Sequence, residues 1–253
     1  MRALLALVVL AGCHALDEAP EYFRERVEVT GDDLDAAPRQ PAELGPLDLT
    51  VTGYDAESAP FLDAILDVLE PDVASVEFQG PWASRGEARR GRPSPRADRR
   101  VTIACRPTFS ASPWNPLVAF PGMIPFLPVW LGYGYTARLA LDWSIDADGA
   151  RRIEGHRDIE VAFREKNARR SAIFHLWPST GFFGTQFVLG LVLAPTFLVY
   201  DEDATPLLVH EIGPRLGATV AAALGRDLER ALSCRRRPSR SRARVVRRSA
   251  RDP

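Results

Sequence analysis

The sequence predicts an α+β domain: a mostly antiparallel sheet with two packed helices and two apolar insertions, over residues 47–234. Three observations point there. Residues 136–166 alternate apolar and polar side chains on both sides of Asp148-Gly149, a turn dipeptide, and so read as a hairpin with one wet face. Residues 213–232 repeat Leu216, Val220, Leu224, Leu228 and Leu232 at helical spacing. Residues 47–80 read as strand, helix, strand. At 253 residues and 46% apolar content, the chain is long enough for one large domain or two small ones.

The elements follow in order. LDLTVTGY, from Leu47, has the β-branched content of a strand. In SAPFLDAILDVLEPD, Ser58 is placed to cap a helix and Pro60 suits its first turn. Phe61, Leu62, Ile65, Leu66, Val68 and Leu69 form the apolar face of that helix, opposite Asp63, Asp67 and Glu70. VASVEFQG, from Val73, is a second strand, and VTIAC, from Val101, a third. In the hairpin, Leu139, Leu141, Trp143 and Ile145 point inward and Arg138, Asp142, Ser144 and Asp146 outward. On the return strand Ile153, Ile159, Val161 and Phe163 face in, against Glu154, His156, Asp158 and Glu160. FLVYDEDATPLLVHEI, in and after the second apolar run, reads as another hairpin before it reads as a strand and a helix start, and the last helix begins near Pro214.

Charge is unevenly spread. The net charge is -1, and the basic side chains are all Arg except Lys166. Residues 235–253 carry nine Arg and one Asp, a basic tail predicted to be disordered, on an otherwise mildly acidic body. Residues 84–100 hold seven Arg among Gly and Pro and are expected to form a solvated loop. Loop and tail are both candidate contacts for anionic lipid or lipopolysaccharide, with salt-sensitive affinity. No aromatic residues interleave the arginines of the loop, which argues against nucleic acid as a partner.

Two runs carry no charge: 107–137 and 171–200. Phe182–Tyr200 is nineteen residues, and as a helix would reach about 28 Å, near the hydrocarbon thickness of a bilayer. The first run holds Pro121, Pro125 and Pro128, each costing about 3 kcal/mol inside a helix in water. If both runs spanned, the strongly alternating hairpin would lie alone on the cytoplasmic side, and the flanking arginines show no positive-inside bias. Three readings stand, in this order: the runs line a pocket or pack on the sheet, they dip into a lipid leaflet, or they span. Trp114, Phe120, Phe126, Trp130, Tyr133, Tyr135, Trp177, Phe182 and Phe183 are the candidate ligand or membrane contacts, because amphipathic rings at the ends of apolar segments suit an interface or a pocket mouth.

Familiar catalytic patterns fail on inspection. His210-Glu211 starts like a zinc-protease helix, but Pro214 stands where the second His belongs. No nucleophile elbow occurs, and Lys166 has no Ser three residues earlier. Gly132-Tyr133-Gly134-Tyr135-Thr136-Ala137 matches a dinucleotide fingerprint, yet a strand pattern follows it, where the pyrophosphate needs a helix N-terminus. Asp201-Glu202-Asp203 reads as a solvated turn before it reads as a Ca²⁺ site. No catalytic residue, metal or cofactor is therefore assigned.

The N-terminus is more specific. Arg2 precedes an apolar stretch from Ala3 to Leu10, too short to span a membrane and laid out as an export signal. It ends in Leu10-Ala11-Gly12-Cys13, which resembles the lipobox of bacterial lipoproteins. The resemblance implies a signal peptide over 1–12, removed before Cys13, and a diacylglycerol on the Cys13 sulfur. His14, where an Asp would resemble an inner-membrane retention signal, points to the outer membrane, facing the periplasm. Residues 13–46, polar and Pro-containing, then read as a tether. An exported compartment permits a Cys105–Cys234 disulfide, or leaves Cys105 as a small buried thiol. The expectation is a non-catalytic envelope lipoprotein, an accessory or assembly factor that binds another envelope component. The alternatives are a carrier of an apolar ligand such as lipid, and an integral protein with two helical spans.

Overall fold

The computed structural model describes residues 26–34, 44–90, 99–116, 131–147, 152–166, 200 and 202–235. The fold is α+β, with a six-stranded mixed sheet. Its strands are β1 (Arg26–Asp32), β2 (Leu47–Thr52), β3 (Val73–Gln79), β4 (Arg99–Ala111), β5 (Tyr133–Ala147) and β6 (Ile153–Lys166). Among the described residues its α-helices are α1 (Ala59–Leu69), α2 (Ala83–Arg90) and α3 (Thr205–Arg235). The strand order is β1-β6-β5-β4-β2-β3. β1 pairs antiparallel with β6, whereas β2 pairs parallel with both β3 and β4. Two compact units divide the chain: Met1–Asp33, Pro107–Leu139 and Ile159–Ile212 form one, and Leu34–Arg106, Ala140–Asp158 and Gly213–Pro253 the other.

In the first unit, Tyr133, Tyr135, Ala137, Leu139, Ile159, Val161 and Phe163 are buried. The Tyr200 ring stacks on Phe109 at 4.0 Å between centroids and meets Tyr135 edge-on at 5.3 Å. β1 is fastened to β6 by Lys166 Nζ, 2.6 Å from Glu28, and by the Thr30 hydroxyl, which donates to the Ala162 carbonyl. That lysine holds the Glu28 carboxyl below its ordinary range. In the second unit, Leu49, Val51, Ile103, Leu141 and Ile145 are buried together with Phe61, Leu62, Ile65 and Leu66 of α1 and Leu216, Val220 and Leu224 of α3. Trp143 donates its indole N–H to Asp227 Oδ2 at 3.0 Å, and Arg230 closes on the other oxygen of that carboxylate at 2.8 Å.

The expected strands at 47, 73 and 101 and the long hairpin are all present, with the inward and outward faces as read from the alternation. Asp148-Gly149 lies outside the described residues. Several boundaries differ. β1 falls inside the segment read as a tether, so the folded body begins before Leu47; its Arg-Val-Glu-Val is too short to signal a strand without the waiting edge of β6. The Arg-rich segment 84–100 is not one loop. Its first part is α2, where Gly86 packs on the Phe78 ring, and its last residues open β4. The apolar run 107–137 is not all insertion: Pro107–Ala111 extends β4 and Tyr133–Ala137 opens β5.

The expected second hairpin is absent from the described residues after Tyr200, because α3 starts at Thr205 and contains Pro214. Pro214 removes the hydrogen bond to the His210 carbonyl, and both residues sit on the exposed side, where the loss costs less than in the core. The buried stripe extends upstream through Leu208 and Ile212, and that packing outweighs the proline. Ser58 stands at the helix start, but its hydroxyl ties the loop together instead of capping. It donates to the Gly53 carbonyl at 2.6 Å, while Asp55 Oδ1 receives the Ser58 and Glu57 N–H groups.

Candidate functional site

Helix side chains and apolar strand residues occupy one face in the second unit, and small or polar side chains the other. That second face carries a groove of about 390 Å³. Thr52, Thr102, Ala104, Ser144 and Gly155 line it with small side chains, and Asp142, Arg152, Glu154 and His156 supply charge. The strand alternation explains the composition. Even-numbered residues of β4, β5 and β6 point away from the helices, and in this stretch they are short or polar.

The charged groups of the groove hold one another. His156 Nδ1 lies 2.7 Å from Asp142 Oδ1 on the neighbouring strand, and Nε2 lies 3.2 Å from Asp158 Oδ2 on its own strand. The second Asp142 oxygen receives the Arg106 guanidinium from β4. Arg152 donates to the Ser144 hydroxyl at 3.3 Å and stands 3.5 Å from Glu154. The two carboxylates raise the His156 pKa, and the imidazole and Arg106 lower that of Asp142. Three strands are thus cross-linked by one ionic chain, Arg106–Asp142–His156–Asp158. Such an arrangement recognises polar groups or fixes strand register; it leaves no imidazole nitrogen open as a general base.

His156 was expected on the wet face, and it is there, with its side chain half exposed. Its partners were missed, although the signal exists. The alternation alone puts Asp142, His156 and Asp158 on the same wet face of the hairpin, with 158 two residues beyond 156 on its strand. The packing beneath was missed as well: Gly155 leaves the space into which the Trp143 ring fits.

The aromatic candidates separate. Tyr133 and Tyr135 are buried at 0% and 3% exposure and belong to the core. They begin β5, whose inward face they share with Ala137 and Leu139. Trp114, by contrast, is 67% exposed. Phe120, Phe126, Trp130, Trp177, Phe182 and Phe183 lie outside the described residues, as do Cys13, the first export-signal residues and the tail beyond Arg235. Among the described residues no helix is long and apolar enough to cross a membrane, and no group of His, Cys, Asp and Glu is arranged to hold a metal. Cys105 is a free, buried thiol on β4, and burial pushes its pKa up to about 12. The side chain of Cys234, its expected disulfide partner, is outside the described residues. Gly132 has φ +68° and the residues after it run directly into β5, so the glycine pattern opens a strand and offers no helix N-terminus to a pyrophosphate.

A comparison of the sequence with protein-family models finds no match, and none is found among curated proteins.

Proposed function

We propose that this chain is a lipid-anchored protein of the bacterial cell envelope, held by Cys13 and facing the periplasm from the outer membrane. It acts without catalysis, as an accessory or assembly factor that docks another envelope component in the groove on its open sheet face. The observation that carries the docking part is the pairing within that groove. Each of its charged lining groups, Asp142, Arg152, Glu154 and His156, already has a partner of opposite charge. A catalytic centre keeps a group with a displaced pKa and a free lone pair aimed into a cavity. A recognition face holds its polar groups in fixed positions and lets the partner read them. The lipobox supports the address, and the small polar floor supports a macromolecular partner over an apolar ligand. The basic segments near Arg85–Arg100 and 235–253 add a further, salt-sensitive attraction to anionic lipid or lipopolysaccharide.

A photo-crosslinking residue placed at Thr102 or Ser144 in native membranes tests the docking face. A discrete adduct is expected from both positions, weakened by Arg152→Glu and absent from a control at exposed Glu229 on α3. Adducts from the control alone, or none from the groove, would overturn this assignment.

A further inference from the structure

Trp114 and Leu131 are the exposed large apolar side chains among the described residues, at 67% and 42% exposure. They stand at the two ends of one stretch of sequence. Residues 115–130, NPLVAFPGMIPFLPVW, contain no charged side chain. The two ends are held side by side. Asn115 is buried at 1% exposure; its Oδ1 accepts the Gly134 N–H at 2.7 Å and its amide donates to the Gly134 carbonyl at 3.0 Å. The Ser112 N–H donates to the same carbonyl at 2.8 Å. On the return side the Gly132 backbone, at φ +68°, passes so close to the Glu165 carbonyl that a Cβ there would lie 2.8 Å from it. Trp114 and Leu131 are therefore displayed from a fixed base, not from fraying ends.

We infer that this base seats on the lipid bilayer, with Trp114 and Leu131 entering the headgroup boundary. An exposed indole and an exposed leucine suit that boundary, where the ring is apolar and its N–H stays wet. The sequence carries no charged side chain between Arg106 and Arg138, and the cation beside Leu131, Arg164, donates to its carbonyl at 3.4 Å, where it suits a lipid phosphate. The lipid proposed on Cys13 raises the local membrane concentration and makes a weak second contact effective. Asn115 is a positioning residue for this contact. The inference rests on the proposed envelope address but not on the anchor itself, so the two are tested apart.

The test uses the mature chain with Cys13→Ala, exported behind a cleavable secretory signal and mixed with vesicles of phosphatidylethanolamine and phosphatidylglycerol. It is expected to float with the vesicles, and adding Trp114→Ser with Leu131→Ser is expected to lower the bound fraction about tenfold. Trp114→Tyr, which keeps an amphipathic ring, retains most of the binding. Both positions are exposed, so an unchanged thermal midpoint shows that the fold survives. Flotation that ignores the double substitution, or no flotation at all, overturns the inference. So does self-association without vesicles that the same substitutions abolish, because the occupant is then a second copy. A chain that floats with Cys13→Ala while the wild type carries no lipid would fail the anchor and leave this contact standing.

Discussion

Both ring nitrogens of His156 hold a carboxylate, one from β5 and one from β6. The charged imidazolium satisfies both contacts as donor, which is why its pKa lies above the ordinary 6.5. The pairing therefore stabilises the fold fully below pH 6.5 and is lost as pH rises through the raised value. Asp142 works in the opposite sense. Its contribution is present above its ordinary 3.8 and fades as pH falls through the lowered value. The ionic chain is thus complete in the window between, and opens on its alkaline side when His156 loses its proton. A proton NMR titration should place the His156 midpoint above 6.5, and Asp142→Asn should bring it down. An unmoved midpoint in that variant would separate the two residues. Cys105 gives a second check at this scale. A thiol with a pKa of about 12 is almost wholly protonated at pH 8, so iodoacetamide should leave Cys105 unmodified in the native protein and alkylate it in guanidinium.

Packing between elements sets the consequences of small changes. Gly217 of α3 lies against Val68 of α1, and a Cβ there would fall closer to the Val68 side chain than real carbons approach. Helix propensity alone favours Gly217→Ala by about 1 kcal/mol. Overpacking costs about 1–3 kcal/mol, so the substitution should lower stability in urea denaturation. A stabilised variant would show that α1 and α3 pack less tightly than described. Trp143→Phe should cost about 1–3 kcal/mol by the same measurement, because it strips an indole donor from the buried Asp227 carboxylate.

The elements also show what sequence can reveal. The strands β5 and β6 were legible because each repeats its alternation over several residues, and α1 because its apolar face recurs with helical period. β1 was not, since a short strand on an edge is specified by its partner. The start of α3 was masked by Pro214, whose local cost is outweighed by the buried stripe on both sides of it. In the groove, the polar residues could be assigned to a face, but Arg106 reaches Asp142 only through the β4–β5 pairing, which nothing local encodes.

At the scale of the whole chain, the sheet ends on β1 and β3, and each edge is irregular. The β1 register shifts between Val29 and Gly31, and the β2–β3 register shifts between Leu47 and Asp48. Bulges of this kind hinder further strand pairing, which fits a partner bound on the sheet face and not added at an edge. The proposed function stands on the anchor, because the docking partner is placed in the envelope by it. The most direct test is mass spectrometry of the N-terminal peptide from the membrane fraction of cells expressing the full chain. The account predicts a mature chain that begins at Cys13 and carries the mass of a diacylglycerol on sulfur, with the modification lost in Cys13→Ala. A mature N-terminus at another residue, or Cys13 with an unmodified thiol, would contradict it.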